Sequence, residues 1–81
     1  MTIAPGSVVK AKAGRDKDSF FIVVKTEDGF AYICDGRRRK VEKPKKKKII
    51  HLQATNTIAE DSMDTNRKIR NALRSFCEST L

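Results

Sequence analysis

Tryptophan is absent from this 81-residue chain, and aromatic residues make up only 6% of it. Val, Ile, Phe and Ala must therefore supply the core. Cysteine occurs twice, at Cys34 and Cys77, and His51 is the lone histidine. These residues form no C-x-x-C pair and no convincing zinc set, so neither a metal nor a cofactor is expected. Two scattered thiols suit a reduced cytoplasmic protein better than a disulfide scaffold. Residues 1–9 lack the basic and apolar regions of a secretory signal. No run approaches the ~18 apolar residues of a membrane span, so no membrane partner is expected. A glycine-rich phosphate loop ahead of a helix is missing, as is any base–nucleophile pair, so the chain does not read as an enzyme and no small-molecule substrate is expected. The length fits one small domain with an appendage, monomeric when free. Its core should be thin, worth ~3–5 kcal/mol.

What the chain has in excess is positive charge in one place. Residues 37–48 contain nine Lys/Arg and a single carboxylate, so this segment alone carries the +8 of the whole chain. Like charge at that density repels itself unless it lies against something anionic, and such a cluster is the electrostatic footprint of a nucleic-acid binder. Arg37, Arg38 and Arg39 can contact phosphate bidentately, while Lys40, Lys43 and Lys45, Lys46, Lys47 and Lys48 act as a more diffuse clamp. A membrane-surface role lacks the basic amphipathic helix and lipidation motif it would need. Charge alone does not distinguish RNA from DNA.

Periodicity divides the chain near Gln53–Thr57, a polar stretch of loop composition. The first part, residues 1–52, reads as short strands: Ser7–Ala13; Ser19–Thr26, apolar on both faces as a central strand would be; Phe30–Cys34; a weak Arg37–Glu42; and Ile49–Leu52. Glu27-Asp28-Gly29 turns the chain. Asp35-Gly36 is a signal for a two-residue type I′ hairpin, and Pro44 then interrupts pairing. Five closely spaced strands predict a small antiparallel barrel, whose closure would remove exposed edges. Residues 53–81 read as a linker and a C-terminal helix over about 65–77. Thr57–Glu60 has the spacing of a capping box, and Asp64 or Thr65 can cap the longer helix. Ile69, Ala72, Leu73, Phe76 and Cys77 form one apolar stripe, expected to pack on the barrel. The fold class is mainly β, a five-stranded barrel with a C-terminal α-helix.

Val8-Val9-Lys10-Ala11-Lys12-Ala13-Gly14-Arg15-Asp16-Lys17, followed by Phe21-Ile22-Val23-Val24, resembles the KOW motif of ribosomal and transcription-elongation proteins. With Asp35-Gly36, the basic block and His51-Leu52, residues 5–52 are similar to short bacterial KOW-domain RNA-binding proteins and to the fourteen-e family of archaeal and eukaryotic large-subunit ribosomal proteins. The stretch Thr65–Leu73 also looks like theirs. Many KOW loops have a glycine where this chain has Asp18. The resemblance implies an SH3-like barrel and a partner that is RNA, ribosomal RNA first, with ribosomal proteins as further neighbours. It implies RNA contacts from the glycine-centred loop: Lys12, Arg15 and Lys17, with Gly14 free to take φ > 0. The basic segment 37–48 and His51 at the edge of its patch complete the expected site. Tyr32 and Phe30 read as core residues, so base stacking is not expected and recognition of phosphate and RNA shape is. The alternative is a protein-interaction KOW module of the transcription or translation machinery that docks through its C-terminal helix.

Overall fold

In the computed structural model, which describes residues 3–12, 14, 17–59 and 64–79, the chain forms five strands and one helix. The strands are β1 (Ser7–Ala11), β2 (Phe20–Glu27), β3 (Phe30–Cys34), β4 (Lys45–Lys48) and β5 (Leu52–Ile58), and the helix is α1 (Asn66–Ser79). They make one curled antiparallel sheet in the order β4-β3-β2-β1-β5, a half-barrel with the helix against its outer surface. The expected mainly β fold with a C-terminal helix is present.

The core lies in two layers, one on each face of the sheet. Inside the curl are Ile3, Val9, Ala11, Phe21, Val23, Ala31, Ile33 and Leu52. Outside it, Val8, Ile22 and Cys34 meet the α1 stripe of Ile69, Leu73 and Phe76. β2 serves both layers, which is why its sequence is apolar on both faces. Phe20 and Phe76 close the outer layer with ring centroids 5.1 Å apart. The apolar stripe of α1 is thus buried against the sheet.

Four expectations about turns and element bounds need correction. First, the type I′ hairpin sits at Asp28-Gly29, not Asp35-Gly36. Both residues have positive φ (46° and 83°), and Glu27 pairs directly with Phe30 across the turn. At 35–36 only Gly36 has positive φ, so the chain enters a long loop there. Second, Arg37–Glu42 is that loop, and the fourth strand is the lysine run, paired Ile33↔Lys45 through Phe30↔Lys48. Third, residues 49–51 form a 3-10 turn that carries the chain from β4 to β5, so the fifth strand begins at Leu52. Fourth, that strand runs to Ile58, through residues that read as linker.

The last strand looks like loop because it is an irregular edge. Between Ser7↔Ile58 and Val9↔Ala54 the register slips, and Thr55 Oγ1 donates to the Val8 carbonyl at 2.7 Å. Glu60, which the Thr57 capping box needs, lies outside the described residues, and Thr57 itself is in β5. The sheet is not closed: β4 and β5 are its edges. A four-lysine edge discourages further strand pairing by charge, so the edge is blunted rather than removed.

Candidate nucleic-acid interface

The loop 35–44 between β3 and β4 is shaped by its two acids. Asp35 Oδ1 accepts from the Arg37 and Arg39 amides at 2.9 and 3.0 Å. The amides of Asp35 and Gly36 donate to the Arg39 carbonyl at 2.9 and 3.1 Å. This Asp-centred turn replaces ladder pairing, which is why Arg37–Glu42 is not a strand. Arg37 and Arg38 are thereby exposed, and Arg39 is half-buried.

The second acid ties the loop to α1. Asn66 Oδ1 accepts from the Val41 amide at 2.7 Å, while its Nδ2 donates to both Glu42 oxygens at 2.9 and 3.1 Å. The Asn66 hydrogen bond, then a backbone hydrogen bond at Glu42 itself, holds the Glu42 carboxyl below its ordinary range. Partial desolvation opposes this, and Lys40 adds a smaller downward push. Arg70 Nη1 donates to the Gly36 carbonyl at 2.8 Å. Gly36 is buried under the helix: a Cβ there would stand 2.5 Å from the Asn66 carbonyl and 2.8 Å from Arg70 Cγ. Only glycine permits this approach. Thr65 caps the helix, its hydroxyl accepting from the Lys68 amide at 3.2 Å.

The expected site residues fall into separate groups. Arg38, Arg39, Lys40, Lys43 and Lys45 line one open cleft of about 440 Å³ with Pro44, and among the described residues no carboxylate lines it. Arg37 turns to the other side, where it shares a cleft of about 390 Å³ with Arg70, Arg74 and Asp35. The lysine run is a strand, so its side chains alternate. Lys45 and Lys47 share the face of Ile33 and Ala31, and Lys46 and Lys48 that of Tyr32 and Phe30. The Lys47 ammonium crosses to the β1–β2 loop, 3.7 Å from where a Cβ on Gly14 would be. Gly14 has the expected positive φ, 85°.

In that loop Lys12 and Lys17 are exposed, and Arg15 lies outside the described residues. Asp18 has φ 70°, so it takes the left-handed conformation a glycine would, which Asp tolerates better than most residues. Its amide donates to the Ala11 carbonyl at 2.9 Å and its carboxylate is 3.6 Å from Lys10 Nζ. His51 is exposed beside Lys12, whose amide donates to the His51 carbonyl at 2.9 Å.

Two aromatic residues are not where they were expected. Phe30 and Tyr32 alternate with the buried Ala31 and Ile33 and stand half-buried on the outer face of the sheet. Period-2 reading of Phe30-Ala31-Tyr32-Ile33 carries that signal; hydrophobicity alone obscures it. Lys25, beside Tyr32, and Arg70 and Arg74, on α1, were also missed because each lies far in sequence from the basic block. Among the described residues no group of His, Cys, Asp and Glu could hold a metal, and no helix is long and apolar enough to cross a membrane. No protein-family model matches this chain, and no curated protein sequence is significantly similar to it.

Proposed function

We propose that this is a cytoplasmic RNA-binding module without catalytic activity, working on or near ribosomal RNA, that grips phosphates through the β3–β4 loop and the strand that follows it. The observation that carries this reading is the cleft of five cationic side chains with no carboxylate among the described residues of its lining. Its loop is held in shape by Asp35, Asn66 and Gly36. A preorganised cationic concavity loses less conformational entropy when it meets phosphate than a free basic tail does. Exposed Arg38 suits a bidentate contact, with Arg39, Lys40, Lys43 and Lys45 adding charge around it. The resemblance of residues 5–52 to KOW-domain proteins supports the choice of RNA, and the covered helix stripe favours it over docking through α1.

Crosslinking in cells followed by sequencing of the attached RNA tests this. Ribosomal RNA should dominate the recovered fragments, with crosslinked peptides from residues 37–48. Recovery of no RNA above background from a folded, expressed protein would contradict it.

A further inference from the structure

The outer face of the sheet continues beyond the edge of α1 with a feature that phosphate binding does not use. Phe30 and Tyr32 lie two residues apart on β3, side by side on that face. A lysine rests on each ring: Lys46 Nζ is 4.5 Å from the Phe30 centroid and Lys25 Nζ 5.0 Å from that of Tyr32. Lys48 pairs opposite Phe30. The carboxylate facing them is Glu27, which accepts from Tyr32 Oη at 3.4 Å and is 3.8 Å from Lys25, with Asp28 in the turn beyond.

We propose that Phe30 and Tyr32 are a stacking platform for two unpaired nucleobases, with Lys25, Lys46 and Lys48 meeting the phosphates beside them. This rests on the RNA-binding reading and specifies it: the RNA presents an opened single-stranded segment. An exposed ammonium–ring contact is the weaker of the two interactions these rings can make. A base stacked on an aromatic side chain binds more strongly, so a base displaces the lysine. The freed ammonium then stands next to that nucleotide's phosphate. Ring spacing selects the strand: two residues of β-strand span ~6.6 Å, about twice the ~3.4 Å between stacked bases. The platform therefore takes bases that are splayed apart, as in RNA loops and bulges. Connection to the cationic cleft is short. Lys45 lines the cleft and Lys46 lies on Phe30, so an RNA strand crossing the β4 edge reaches both.

Tyr32 is the single tyrosine and there is no tryptophan, so intrinsic emission reports this one ring. The protein is titrated with single-stranded oligouridylate and with an abasic ribose–phosphate oligomer of equal length. Binding is followed separately by anisotropy of a dye on the oligomer. The uridylate should quench Tyr32 emission while the bound abasic oligomer leaves it unchanged. The uridylate should also bind ~fivefold or more tightly than the abasic oligomer, the equivalent of at least one stacked base. Tyr32→Phe should keep that advantage and Tyr32→Leu lose it, with abasic binding the same in both. Equal affinity of the two oligomers with no base-dependent quenching overturns the platform and leaves phosphate binding standing. Binding of neither oligomer overturns the RNA-binding reading and the platform with it.

Discussion

Replacing Gly36 with alanine tests whether the helix really closes on the basic loop, and Gly29→Ala is its internal control. Both glycines have nearly the same backbone, φ 79° and 83°. Each alanine therefore incurs the left-handed penalty of ~1–2 kcal/mol. Around Gly29 there is open space within 4 Å, whereas at Gly36 the new methyl would meet the Asn66 carbonyl at 2.5 Å. That atom is helix backbone and cannot rotate away. The first turn of α1 must shift, which strains the Val41–Asn66 and Gly36–Arg70 hydrogen bonds. Net losses of ~1 kcal/mol for each bond bring Gly36→Ala to ~3–4 kcal/mol, most of what a thin core holds. One kcal/mol moves the Tm of a domain this size by ~4–8 °C. Thermal melts should thus show Gly29→Ala down by ~4–16 °C and Gly36→Ala by ~8–16 °C more than that. Equal Tm values for the two variants would refute the close approach of α1 to the loop.

Asn66→Ala should lower Tm by ~4–16 °C, since it leaves the half-buried Val41 amide without its acceptor at ~1–2 kcal/mol. Part of that loss is pH-dependent. Glu42 is held below its ordinary value by Asn66, so its contribution is complete above the ordinary carboxylate range and disappears as pH falls through the lowered value. The Tm gap between wild type and Asn66→Ala should accordingly narrow in acid, and a gap constant with pH would argue against the Asn66–Glu42 pair. The Cys34 thiol is fully buried and pushed up to about 11, by burial first and then by Asp35 and Glu42. At pH 8 a brief pulse of alkylating reagent should label Cys77 and spare Cys34 until the protein is unfolded, as mass spectrometry of the two peptides will show.

Legibility of the fold followed the strength of its local patterns. β1, β2, β3 and the α1 stripe were readable because alternation or helical spacing is unambiguous there, and because β2 is apolar on both faces. β4 was unreadable: a lysine run has no strand propensity, and only its pairing with β3 makes it one. β5 was hidden by its polar residues, which suit an irregular edge held by Thr55. For the site, the charge of segment 37–48 was plain, but its division among two clefts and two faces of a strand was not. Asp35 and Glu42 show why, since in sequence they only dilute the charge, and in the fold they shape the loop that presents it. Gly36 read as a hairpin residue because the helix that requires it lies thirty residues further along the chain.

The central claim is that the cleft of Arg38, Lys40 and Lys43 engages RNA phosphates, and the salt dependence of binding tests it most directly. If residues 37–48 neutralise about six phosphates, log K should fall against log[salt] with a slope of about −4 to −5. Changing exposed Arg38, Lys40 and Lys43 together to Gln removes three contacts, and the slope should become shallower by ~2. A slope unchanged in a variant that circular dichroism shows to be folded would contradict the claim, as the cleft would then be bystander charge.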